Sequence, residues 1–138
     1  MNKLGKKLLA CVAACSIVLA AGSHMQAFAD TDSFNGTTVS YSVTTNSTSA
    51  TAVTSFSKKA REIAVQATVY YVRDSATYKR NSGWKTATIG GVSATASVKG
   101  SNALVIGGKG DHRIISEQGT TWTGTSSVGT VDEGALAE

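Results

Sequence analysis

Ile63-Ala64-Val65-Gln66-Ala67-Thr68-Val69-Tyr70-Tyr71-Val72 is the stretch whose period decides the fold. Read two residues at a time, Ile63, Val65, Ala67, Val69 and Tyr71 share one side, the longest such alternation in the chain. A strand places alternate side chains on opposite faces, so this pattern predicts a strand central to a sheet. Helical spacing competes at its start, where Ala60, Ile63, Ala64, Ala67 and Tyr71 also line up, and would begin a helix over Lys58 to Ala67. The β-branched and aromatic run Thr68-Val69-Tyr70-Tyr71-Val72 favours the strand.

The same period extends outward on both sides. Before it, Thr37 to Thr45 sets Val39, Tyr41 and Val43 against threonines and serines, and Ser49 to Ser57 alternates in the same way. After it, Thr77 to Arg80 and Trp84 to Ile89 flank Asn81-Ser82-Gly83, residues suited to a hairpin turn. Val92, Ala94, Ala96 and Val98 predict a further strand, ended by Lys99-Gly100-Ser101-Asn102. Ala103 to Ile106, His112 to Ser116 and Thr120 to Thr125 follow, with Gly107-Gly108-Lys109-Gly110 expected as a turn. The expected fold is all-β, an antiparallel β-sandwich or small barrel of about seven to eight short strands.

The first residues belong to a different class. Lys3, Lys6 and Lys7 precede an apolar run from Leu8 to Ala21, broken only by Ser16. That run is shorter than the roughly 20 residues a membrane-spanning helix needs. It fits a secretory signal peptide over residues 1–29, cleaved after Ala27-Phe28-Ala29. Val12-Ala13-Ala14-Cys15 also matches a lipoprotein box, but apolar residues continue to Ala21 where a polar tether should begin. Cleavage is therefore expected in place of lipid anchoring through Cys15, and the mature protein is expected outside the cell without a transmembrane segment.

Removal of residues 1–29 takes both cysteines, Cys11 and Cys15, so the secreted β domain expected over 30–128 carries no disulfide. Threonine and serine supply 33 of the residues from Asp30 onward. Their β-branch and hydroxyl suit solvent-facing strand positions. Residues 30–128 hold ten basic and six acidic groups, while 129–138 form an acidic tail with Asp132, Glu133 and Glu138. This mild balance lacks the dense basic stripe of a nucleic-acid binder. Proline is absent, so charges such as Lys58, Lys59, Arg61, Lys79, Arg80 and Lys99 must guard strand edges.

Catalytic signatures are few. His112, beside Asp111 and Arg113, is the one histidine after residue 29 and is expected at a strand start beside a solvated aspartate. No serine lies in a nucleophile-elbow context. Gly107-Gly108-Lys109-Gly110 lacks the first glycine and the hydroxyl of a phosphate loop. One histidine without cysteine makes no structural zinc site. No cofactor and no metal are expected, and no catalytic residue is assigned.

One constellation stands out. Tyr78-Lys79-Arg80-Asn81-Ser82-Gly83-Trp84-Lys85 gathers two aromatics and three basic groups on the expected hairpin. Alternation puts Tyr78, Arg80 and Trp84 on one face, with Lys79 and Lys85 on the reverse. Such a surface suits a cell-envelope polymer, a glycan or an anionic membrane surface. In size, export signal and Thr/Ser/Gly/aromatic make-up the chain resembles small secreted proteins of Gram-positive bacteria, including bacteriocin-like ones of the lactococcin type. No motif aligns residue by residue, so the resemblance brings no fold, site or activity. The expected function is a small secreted non-catalytic β domain that binds at a surface or to an extracellular partner. A bacteriocin-like antimicrobial acting on the envelope is the alternative, and a small hydrolase built on His112 the third.

Overall fold

The computed structural model describes residues 26–129, all of them in strands or short connections. The charged and apolar parts of the expected signal, Cys15, and the acidic tail beyond Gly129 lie outside the described residues. Nine strands follow in chain order. They are β1 (Gln26–Phe34), β2 (Thr37–Thr45), β3 (Ser49–Phe56), β4 (Glu62–Arg73), β5 (Ala76–Asn81), β6 (Lys85–Ala87), β7 (Gly90–Ser97), β8 (Leu104–Ile115) and β9 (Thr121–Gly129). All pair antiparallel, in one sheet ordered β1-β2-β3-β7 and a second ordered β5-β4-β8-β9, with β6 also on β4. The two sheets pack face to face as a β-sandwich, as the alternation predicted.

The helical option over 58–67 is not taken. β4 runs for 12 residues from Glu62, with Val65, Ala67, Val69 and Tyr71 turned into the core. Two-residue turns tie the neighbouring strands: Asn35-Gly36 joins β1 to β2, and Asp74-Ser75 joins β4 to β5, all four with positive φ. That is the geometry in which a hairpin turn matches the strand twist.

Three features differ from the sequence expectation. β1 is an additional strand, and it crosses the expected cleavage junction: Gln26 to Ala29 pair with Thr45 to Ser42, and Phe28 packs against both core clusters. Gly107-Gly108-Lys109-Gly110 is no turn but the middle of β8, which fuses two expected short strands into one of 12 residues. The reason is steric. A Cβ at Gly108 would lie 2.7 Å from Thr45 and 2.9 Å from Ala50, and one at Gly110 would lie 2.8 Å from Ala52. Glycine lets β8 approach the small residues of β3 across the sandwich. The third difference, at the 78–85 segment, bears on the site.

The core has two lobes. Val43, Ala50, Ala52, Val65, Val69 and Tyr71 lead one, and Phe34, Val39, Phe56, Ile63, Ile114 and Trp122 lead the other. Among the described residues no helix is long and apolar enough to cross a membrane.

Candidate functional site

β5 and β6 do not pair with each other. Both run along β4, β5 against 68–73 and β6 against 63–65, so the expected hairpin is a single edge strand with a break. From Asn81 (opposite Thr68) to Lys85 (opposite Val65) the edge advances four residues while β4 advances three. The extra residue is a bulge, and it reverses which side chains face outward. Side chains stitch the break to β4. Asn81 Nδ2 donates to Thr68 Oγ1 at 2.9 Å, and Ser82 Oγ accepts from the Ala67 amide at 3.0 Å. Gly83 supplies the left-handed backbone, with φ +78°.

The bulge regroups the expected site residues. Tyr78 lies opposite Tyr71 and stacks on its ring at 5.6 Å, with the Arg73 guanidinium 4.9 Å from the Tyr78 centroid. Arg80 and Lys85 lie opposite the inward-facing Val69 and Val65, at the sandwich margin, and both are exposed. Lys79 lies opposite Tyr70 and Trp84 lies over Arg113, both on the outer face of the sheet. The expected grouping of Tyr78, Arg80 and Trp84 is thus corrected: Trp84 shares a face with Lys79, and Tyr78 and Arg80 share the other with Lys85. The bulge supplies the physical reason.

Trp84 is the exposed tryptophan, with 41% of its surface accessible. One face of its ring rests on the Arg113 guanidinium, 4.4 Å from the centroid. That guanidinium is itself fixed, since its Nε and Nη2 both donate to Glu62 Oε2, at 2.9 and 2.6 Å. A carboxylate, a guanidinium and an indole therefore stack in sequence across β4, β8 and the edge. Beside them, between β5 and β8, a depression of about 320 Å³ is lined by Thr68, Tyr70, Lys79, Asn81, Lys109 and Asp111. Lys109 lies 3.7 Å from Asp111, which also accepts from Gln66 Nε2 at 3.2 Å. A second depression, sharing Tyr70 and Lys109 with the first, lies toward β9 beside Thr125 and Ser127.

No protein-family model and no curated protein sequence matches the chain.

His112 occupies a second polar constellation, in the core and not at a strand start. Its Nδ1 lies 2.7 Å from Thr54 Oγ1, and its Nε2 lies 2.7 Å from Ser126 Oγ. Thr54 donates its one proton to the Ala64 carbonyl at 3.1 Å, so it accepts from Nδ1–H, and Ser126 donates to Nε2. The ring is thereby satisfied in its neutral form. Burial pushes its pKa down to about 4, against a smaller upward pull from Asp111. Nearby, Tyr41 donates to Asp30 Oδ2 at 3.1 Å and Trp122 Nε1 to Asp32 Oδ2 at 3.0 Å. The Ser126–His112–Thr54 row has the spacing of a nucleophile and base, but all three side chains are buried and no carboxylate orients Nδ1. The row links β3 of one sheet to β8 and β9 of the other through buried hydrogen bonds. Among the described residues no group of three His, Cys, Asp or Glu side chains is placed to hold a metal.

Sequence reasoning found Trp84 and Lys79 but missed Tyr70, Lys109 and Arg113. The signal was present in Lys109, Asp111 and Arg113, which alternate along β8 and face outward together. It was hidden because the glycines beside Lys109 read as a turn.

Proposed function

We propose that this chain is a secreted, non-catalytic binding domain that works through the outer face of the β4–β8 sheet. The observation that carries this is Trp84. A large apolar ring left exposed on a small domain, and backed by a guanidinium that is itself pinned by a carboxylate, is held in place without being buried. An ordered exposed aromatic loses little freedom on binding, which is the property of a recognition residue. The neighbouring depression adds amide, hydroxyl and charged groups to the same face.

Export belongs to the same proposal, supported by the Lys-rich start, the apolar run to Ala21 and the Ala27-Phe28-Ala29 junction. Cleavage there would begin β1 at Asp30. The partner proposed is a component of a bacterial envelope or another extracellular surface. The test is co-sedimentation of the purified protein with Gram-positive cell-wall preparations. Wild type should be depleted from solution, and Trp84→Ala should stay in the supernatant with an unchanged circular dichroism spectrum. Equal depletion of the two proteins would remove Trp84 from the contact and overturn the proposal. The antimicrobial alternative adds growth inhibition by the same wild-type protein, and binding without inhibition would exclude it.

A further inference from the structure

The charge pattern around Trp84 narrows the ligand. Two cations of the face sit against carboxylates of the same sheet: Arg113 against Glu62 and Lys109 against Asp111. Glu62 and Asp111 lie beside those cations, so they repel an anionic polymer and cancel much of the attraction it would feel. A cationic ligand is disfavoured for another reason. Arg113 already occupies one face of the indole, and its positive charge draws on the same ring quadrupole that would attract a second cation. What the face does offer is one indole surface, the amides of the exposed Asn81 and the half-buried Gln66, and charged groups able to accept or donate hydrogen bonds. Arg113, Asp111 and Lys109 follow one another on every second residue of β8, a row roughly 14 Å long at about 3.4 Å per residue. Its length suits a short chain of linked units more than a single small molecule.

We infer that this face binds an uncharged oligosaccharide, with one sugar ring stacked on the free side of Trp84 and hydroxyls bonded along the depression between β5 and β8. The inference rests on the outer face being the binding surface, and it adds the ligand class. Sugars match both halves of the site. Their C–H faces pack on an aromatic ring, and their hydroxyls pair with planar amides and carboxylates that charged polymers would not need. The Glu62–Arg113 pair acts as the positioning element, holding the indole so that its free side stays presented.

The experiment is isothermal titration of the wild-type protein with neutral hexasaccharides built from glucose, mannose, galactose, xylose and N-acetylglucosamine, and with heparin as the anionic comparator. Binding of at least one neutral hexamer is expected, changing less than about twofold between 50 and 500 mM salt, since uncharged contacts are not screened. Trp84→Ala should weaken it at least tenfold, Trp84→Phe should restore part of the loss, and Ser42→Ala on the opposite sheet should leave it unchanged. Binding to heparin that falls steeply with salt, without binding to any neutral hexamer, would overturn the ligand class while leaving the surface proposal standing. Cell-wall depletion that is indifferent to Trp84→Ala, together with silence toward every saccharide, would remove both.

Discussion

The two sheets of the sandwich turn different chemistry toward solvent. In the β1-β2-β3-β7 sheet every outward strand position is Thr, Ser, Ala, Val or Gly, in rows such as Ala27–Thr44–Thr51–Thr95 and Thr31–Ser40–Ser55–Gly91. In the other sheet the outward positions include Gln66, Trp84, Lys109, Asp111 and Arg113. The first face shows what a strand requires: β-branched or small residues on a pleated surface, with hydroxyls for water. The second adds an indole, an amide and paired charges that strand formation does not require, and the proposed binding rests on that difference. Edges are handled differently too. β1 carries its charges inward, on Asp30 and Asp32, where Tyr41 and Trp122 bond them. The β5–β6 edge carries Lys79, Arg80 and Lys85 and a bulge, both devices that discourage pairing with another chain.

The contrast is sharpest between the two tryptophans. Trp122 is 8% exposed, donates to Asp32 and meets Tyr41 edge-on at 5.3 Å, whereas Trp84 is 41% exposed. Trp122→Ala should cost about 3–5 kcal/mol, the range for deleting a large buried ring. Trp84→Ala should cost under about 1 kcal/mol, since it forfeits an exposed stacking contact. Urea unfolding followed by circular dichroism measures both. Comparable losses would place Trp84 in the core and erase the distinction between the faces.

A smaller effect should come from the burial of neutral His112, whose Nδ1 meets Thr54 of the other sheet. The unfolded chain takes up a proton on this histidine near pH 6.5, the folded chain only near 4. Between those values the unfolded state holds the additional proton, so stability falls as pH drops. The full contribution is present above pH 6.5, and the loss is complete below about pH 4, reaching roughly 3 kcal/mol. Urea midpoints measured from pH 7.5 down to 4 should show this decline, and His112→Gln should be less stable at pH 7.5 yet lose less on acidification. An NMR titration in which the ring protonates near pH 6.5 would break the account of a buried neutral histidine.

Most of the fold was legible because its outward positions are so plain. Threonine and serine alternating with Val39, Tyr41, Val43, Ala94 and Ala96 admit one period only. Legibility failed where a residue was chosen for something other than its strand face. Gly108 and Gly110 are placed for the close approach of two sheets, a contact between residues far apart in sequence. Asn81-Ser82-Gly83 has turn composition, yet its side chains bond back to β4 and not across a hairpin. The candidate site was half legible for the same reason. Trp84 and Lys79 are neighbours in sequence, but Arg113 and Glu62 reach them only through pairing, and the bulge that sets the grouping adds a single residue. His112 and Ser126 likewise meet because β8 and β9 are adjacent in the sheet.

The smallest effects belong to the hydroxyl face. Thr51 and Thr95 sit directly opposite on β3 and β7, with their hydroxyl oxygens 2.9 Å apart. Such a cross-strand pair contributes roughly 0.2–1 kcal/mol. Valine at both positions keeps the β-branch and the pleat packing while deleting the hydroxyl pair, so Thr51→Val with Thr95→Val should change stability by less than about 0.5 kcal/mol. Alanine at both should cost more, about 1 kcal/mol, because the β-branch goes as well. The ordering separates two accounts of why the face is made of threonine. If shape on the strand is what matters, valine is tolerated and alanine is not. If the hydroxyl pair is what matters, the two double variants lose the same amount, and the plain face has a role beyond forming a sheet.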